Sequence, residues 1–439
     1  MTDNIKKILL DNKLKITVIF LLLLGFVVRI LLINLGHGLS TDFLIFEEWG
    51  RKFWELGPKE FYLYKYWDFA RPNYPPLSSF IFAAAYWLFD HKYVLAQLHN
   101  VIKIPPAVFI VFFYKYGYNL LLKIPAFLAD LGLAYVVYRL IFKFSGDIKK
   151  AYLGSFLFFL NPVTIFLSSV WGQIDSLVAL IGIMAFILLT KKKFVISAVL
   201  FFAGLYIKPN WVYLLPFFGF VFFSMKPRLK HLLLGFSFVF LVYVMTTLPF
   251  AKNGLVDFTI LLFKERLLPS AIGASMASSS AFNFYTIFLE INKSSLASPI
   301  AGIPANIIAW LAYIVINITV FVAFLKSKNK LFALISGIFI ISFGVYLFMT
   351  NMLERYFFAG FAPFIVLLLT KPKLLITGVI LNLSVFLNVF WSFYRRKYNE
   401  INHPFINNGY LLLRLISIAS ILSWLLISRK SLKGVLFKG

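Results

Sequence analysis

The chain has 439 residues, 61% of them hydrophobic and 14% charged, with a mean hydropathy of +0.86. That composition excludes a soluble domain and predicts an all-α polytopic membrane protein. The absence of cysteine leaves no disulfide, thiolate zinc site or thiol nucleophile, and the net charge of +26 is gathered in short basic segments at 1–15, 139–150, 191–193, 226–231, 326–330, 371–373 and 429–438, a pattern that obeys the positive-inside rule and argues against a nucleic-acid partner.

Apolar runs predict about twelve transmembrane helices near 16–35, 117–140, 151–170, 175–190, 194–207, 211–224, 232–250, 305–325, 331–350, 356–370, 374–393 and 409–428. Both termini then lie in the cytoplasm. Ile16–Leu35 is long enough to remain as a first span, with no small-residue cleavage site after it. Two further runs, 77–89 and 104–114, either dip into the membrane as a hairpin or raise the total to fourteen. Long outer segments at 36–116 and 251–304 divide the chain into a transmembrane module over 1–250, an outer loop over 251–304 and a C-terminal module over 305–439. Within the second, Ser275-Met276-Ala277-Ser278-Ser279-Ser280-Ala281-Phe282-Asn283 predicts a mobile loop from its small residues.

The first outer loop begins Ser40-Thr41-Asp42, with Trp49 following in Glu47-Glu48-Trp49. Asp42 sits just past the first span, where a carboxylate can take a proton from an attacking hydroxyl. It also suits a helix N-cap, and the two roles can coexist. Asn73-Tyr74-Pro75-Pro76-Leu77 predicts an extended turn into the 77–89 run, and Tyr74 there can stack on a sugar face.

Three polar clusters interrupt the spans: Trp171-Gly172-Gln173-Ile174-Asp175, Lys208-Pro209-Asn210 and Glu354-Arg355-Tyr356. Each precedes an apolar run of about 14–15 residues, which covers roughly 21–23 Å of a hydrocarbon core of about 30 Å. The clusters are therefore expected to lie about 7–9 Å below the membrane surface and to line one protein cavity, since non-helical polar backbone is tolerated at depth only there. Asn161-Pro162 is expected to kink the third span. Lys208 and Arg355 need partners at that depth: a phosphate is one candidate, and Asp175 or Glu354 the alternative for Lys208. Asp130 and Arg29 complete the intramembrane charges, with a helix–helix ion pair expected for Asp130. None of the five histidines has metal-ligand spacing, and nothing in the spacing supports a metal site at Asp42, Glu47 and Asp175.

Together these motifs resemble the GT-C glycosyltransferases. Asp42 with Trp49, then Tyr74-Pro75-Pro76-Leu77, is similar to their first luminal loop. Lys123-Ile124-Pro125-Ala126-Phe127-Leu128-Ala129-Asp130, Asn161-Pro162, Trp171 to Asp175, Lys208-Pro209, Ala281-Phe282-Asn283 and Glu354-Arg355-Tyr356 follow in the family's order. The likeness covers roughly residues 16 to 370. It is nearest to the dolichyl-phosphate-glucose-dependent glucosyltransferases of N-glycan assembly and to prokaryotic GT-C mannosyltransferase-like proteins. The resemblance implies an inverting hexosyltransferase in a prokaryotic cell membrane, without a cofactor, working on the extracytoplasmic face. It implies a polyprenyl-phosphate sugar donor and a lipid-linked or other glycan acceptor. Asp42 takes the role of general base, Lys208 and Arg355 that of donor-phosphate ligands, and Trp49, Tyr74, Trp171, Gln173, Asp175 and Glu354 line the substrate site. The chain departs from the pattern at Asn73, where the eukaryotic enzymes have Asp, and at Leu353, where relatives have His. From the residues alone, a transporter or flippase of lipid-linked sugars is the alternative, since intramembrane Asp130 and broken helices suit transport as well.

Overall fold

In a computed structural model, residues 2–36, 40–273, 275–398 and 409–437 are described. The protein is almost wholly helical; among the described residues the sole sheet is a hairpin pairing Pro299–Ile300 with Ile303–Pro304. Seven helices are long and apolar enough to cross a membrane: Ala107–Ser145, Ile148–Trp171, Leu229–Phe250, Ala305–Lys326, Lys330–Phe348, Leu375–Arg395 and Tyr410–Val435. Five shorter apolar helices, Thr17–Leu31, Asp175–Thr190, Phe194–Ile207, Pro209–Ser224 and Phe358–Thr370, fall where the remaining spans are expected. Thr17–Leu31 is the apolar end of the 30-residue helix Thr2–Leu31, whereas the other four have at most 16 residues, reach only about 24 Å and end short of a full bilayer crossing. The link between the last two helices, at 399–408, lies outside the described residues, as do His37 to Leu39.

Several expectations change. Residues 104–114 form no separate dip or span, because Ala107–Ser145 is one continuous helix of 39 residues. Its length of roughly 58 Å greatly exceeds a hydrocarbon core of about 30 Å, so it must project beyond one membrane surface. The 77–89 run is the helix Pro76–Asp90, which packs on Thr41–Leu56 through the stacked rings of Phe46 and Phe82, 4.5 Å apart. The third span is broken as expected: its first helix stops at Phe159, Asn161 caps the restart at Pro162, and a π-helical turn runs from Phe166 to Trp171.

The serine-rich stretch is not a mobile loop. Residues 277–283 are all buried, and Asn388 clamps them. Its amide donates to the Ser280 carbonyl at 2.7 Å, and its Oδ1 accepts from the Phe282 N–H at 3.0 Å. Small side chains here serve close packing of backbone against helix.

The expected intramembrane ion pair is present. Arg29 donates to Asp130 at 3.0 Å and to the Phe159 carbonyl at 2.8 Å, while Ser176 donates to the other Asp130 oxygen at 2.5 Å. This closed cluster ties together the first, second, third and fourth spans.

Candidate functional site

The Thr41–Leu56 helix sets the position of Asp42. Ser40, rather than Asp42, is its N-cap, accepting the Phe43 N–H at 3.3 Å, so the carboxylate in the first turn is available to other partners. Asp42 Oδ2 accepts from Trp171 Nε1 at 3.2 Å and Gln173 Nε2 at 2.9 Å, and lies 3.2 Å from Arg355 Nη2. Three segments distant in sequence thus meet on one oxygen.

The other polar residues extend this network in two directions. On one side Gln173 Oε1 accepts from Lys208 Nζ at 3.0 Å, and Lys208 pairs with Asp175 at 2.8 Å. Asn210 donates to the second Asp175 oxygen at 2.7 Å. On the other side Arg355 pairs with Glu354 at 2.5 Å, and Ser280 and Ser392 donate to the remaining Glu354 oxygen at 2.5 and 2.9 Å. The network joins six chain segments. Side-chain exposure is 4% for Lys208, 3% for Asp175, 7% for Arg355 and 1% for Glu354, against 21% for Asp42. Asp42 is the most exposed acid of the network.

Local backbone explains how the segments reach one another. The π-helical turn ends at Gly172, in the left-handed region at φ 76°. A Cβ there would sit 2.5 Å from the Phe43 ring, so glycine serves both the turn and the close approach. Lys208 is extended, at φ −151° and ψ 116°, between Phe194–Ile207 and a 3-10 helix at Pro209–Leu214. The predicted span 211–224 therefore begins as 3-10 helix at Pro209 rather than as α-helix at Trp211. Glu354 and Arg355 lie in the turn before Phe358–Gly360, where Tyr213 donates to the Tyr356 carbonyl at 3.0 Å.

Aromatic faces flank both cations. Arg355 lies 5.2 Å from the Trp171 ring centre and Lys208 Nζ 5.5 Å from that of Tyr74, both inside cation–π range.

Of the residues singled out from sequence, Asp42, Trp171, Gln173, Asp175, Lys208, Glu354 and Arg355 are joined in this network, and Tyr74 stands beside it. Trp49 is set apart. It is buried, with its indole N–H spent on the Ala70 carbonyl at 2.8 Å and its ring edge-on to Tyr74; it supports Tyr74 from behind. Lys208 has the ion-pair partner left open as the alternative to phosphate, namely Asp175. Among the described residues, no group of three or more His, Cys, Asp or Glu is placed to hold a metal ion.

Four contributors carry roles that their motifs did not announce. Ser280, Ser392 and Asn210 complete the carboxylate shells; Asn210 stands in the Lys208-Pro209-Asn210 cluster and Ser280 in the serine-rich stretch, but neither position points to a carboxylate partner, and Ser392 belongs to no motif. Lys123 is the fourth. It is a buried intramembrane cation whose ammonium donates to the Ile33 carbonyl at 2.5 Å and to the Ser169 carbonyl at 2.6 Å. It thereby pins the π-helical turn to the end of the first span. A lysine two residues before Pro125 within an apolar run was the available signal.

No protein-family model matches the chain, and no curated protein matches it. The fold and site define a multi-pass helical membrane protein with a charged network recessed among its helices.

Proposed function

We propose that the protein is an integral-membrane, inverting glycosyltransferase that moves a hexose from a polyprenyl-phosphate carrier to a lipid-linked or other glycan acceptor. The observation carrying this reading is the position of Asp42. It is the most accessible acid of a buried charged network, and Trp171, Gln173 and Arg355 hold its orientation. In this reading the acceptor oxygen attacks the anomeric carbon, the bond from that carbon to the phosphate oxygen breaks, and Asp42 takes the hydroxyl proton. Arg355 stabilises the charge that develops on the departing phosphate. Lys208 shares that field, and it also fixes the Gln173 amide: by donating to Oε1 it leaves the NH2 group to face Asp42. Tyr74 offers a ring face to the sugar.

The same proposal places twelve helices in the membrane, both termini in the cytoplasm and the Asp42 network toward the extracytoplasmic side. Basic turns support that placement, since Lys191 to Lys193 and Lys371 to Lys373 lie at the helix ends opposite the network. Cysteines introduced at Lys192 and Lys371 should label from the opposite side to one at Lys59; labelling of all three from one side removes the topology.

The deciding experiment for function is incubation of the purified protein in detergent with radiolabelled polyprenyl-phosphate mannose and glucose. Transfer to a glycan acceptor, or acceptor-independent release of sugar from the donor, supports the reading. Binding of donor without either reaction favours transport, because detergent abolishes the second compartment a transporter needs.

A further inference from the structure

Away from the Asp42 network, the helices Ala305–Lys326, Lys330–Phe348 and Gly409–Phe437 enclose a groove of about 380 Å3. Ile316, Ile340, Trp424, Leu425 and Leu432 form its apolar walls, and Arg429 and Lys433 stand at one end. Two observations bear on what fills it.

Charge comes first. Arg429 and Lys433 are exposed and one helical turn apart, and neither has an ion-pair partner among the described residues. The same end of the bundle carries Lys326 and Lys330, and Lys371 donates to the Lys430 carbonyl at 2.6 Å. An unneutralised basic end beside an apolar groove complements an amphiphile with an anionic head. Second, Trp424 to Lys433 spans roughly 14 Å of helix, close to half of a hydrocarbon core of about 30 Å. The groove therefore has the depth of one leaflet.

We propose that this groove binds one anionic phospholipid. The acyl chain lies along Ile316, Trp424 and Leu425, and the phosphate faces Arg429 and Lys433. A second copy of the chain is disfavoured as occupant, because it brings the same basic end against this one.

Native mass spectrometry of the full-length protein, released from detergent with phosphatidylglycerol or phosphatidylcholine, tests the site. Phosphatidylglycerol should be retained in preference to phosphatidylcholine. Arg429→Gln with Lys433→Gln should weaken its retention roughly 25-fold, at about fivefold for each cation near a membrane surface. Thr319→Trp, which fills the groove and leaves the charges in place, should abolish it. Equal retention of the two lipids, or unchanged phosphatidylglycerol retention in both variants, overturns the proposal. So does efficient dimer cross-linking through Thr319→Cys in this otherwise cysteine-free chain, which would assign the groove to a second copy.

Discussion

Two charged clusters lie among the helices, and they are built to opposite ends. Arg29 and Asp130 are both 0% exposed, and the carboxylate is met on both oxygens by side chains of neighbouring helices. Nothing in that cluster faces a space where a ligand could enter. The Asp42 network uses the same chemistry, but three carboxylates, Asp42, Asp175 and Glu354, share two cations, Lys208 and Arg355. One acid stands at its accessible edge. A balanced, closed pair fixes helices against one another. An unbalanced set with an accessible carboxylate keeps interaction capacity for a substrate, and that contrast separates scaffold from candidate site.

The sharpest way to break this contrast is Asp42→Asn. The amide still offers an oxygen to Trp171, Gln173 and Arg355, so the fold should survive, with a melting temperature close to that of the unsubstituted protein. Proton acceptance is lost, and sugar transfer should fall by about 10²–10⁴. Turnover near the original rate in a folded Asp42→Asn protein would falsify the general-base role.

Asp130→Ala should behave in the opposite sense. It leaves Arg29 buried without its carboxylate, a change that typically costs about 3–5 kcal/mol. Yield and thermal stability in detergent should drop, while activity per folded molecule stays nearly constant. Replacing both partners, Arg29→Met with Asp130→Leu, should restore much of the loss, because an apolar pair of similar volume no longer carries an unpaired charge. A folded Asp130→Ala protein with normal stability and lost transfer would move this cluster from scaffold to mechanism.

Much of this contrast was legible in the sequence. In an apolar chain each polar residue stands out, and depth can be counted from helix length, so Trp171 to Asp175, Lys208 and Glu354-Arg355 could be assigned to a single recess. The Arg29–Asp130 pair follows from the same cost of intramembrane charge. What was hidden depends on packing. Apolar composition predicts that a helix crosses but not where it stops, so Ala107–Ser145 continues through residues read as a separate run. Serine and alanine suit both a mobile loop and a tight backbone contact, and the clamp that distinguishes them, Asn388, lies more than a hundred residues away. Glu48 is a similar case: its carboxylate accepts the Asp68 and Phe69 N–H groups at 2.6 and 3.1 Å and organises the loop leading to Tyr74. No local spacing announces it.

Lys208 tests where the boundary between the two kinds of cluster runs. Lys208→Met removes the ammonium from Asp175 while Asn210 still donates to that carboxylate. The expected loss is about 3 kcal/mol, the low end for breaking a buried pair. Adding Asp175→Asn should return part of it. If Lys208 also contributes to donor phosphate, affinity for the polyprenyl-phosphate sugar stays depressed in the rescued double variant; if affinity recovers with stability, Lys208 belongs with the scaffold.

The smallest expected effect is at Ser280, and it bears on how the buried loop communicates with the site. Ser280 and Ser392 both donate to one oxygen of Glu354, whose other oxygen holds Arg355. Ser280→Ala removes one hydrogen bond to a charged group and should cost about 1.5 kcal/mol in stability. The Asn388 clamp acts through the Ser280 and Phe282 backbone and is untouched by the substitution. With Ser392 retained, Glu354 keeps a donor on that oxygen, so Arg355 should hold its place and donor affinity should change by less than the stability does. A loss of donor affinity larger than the loss of stability would show that Ser280 positions Arg355 through Glu354, and the 277–283 loop would then count as part of the site rather than as its packing.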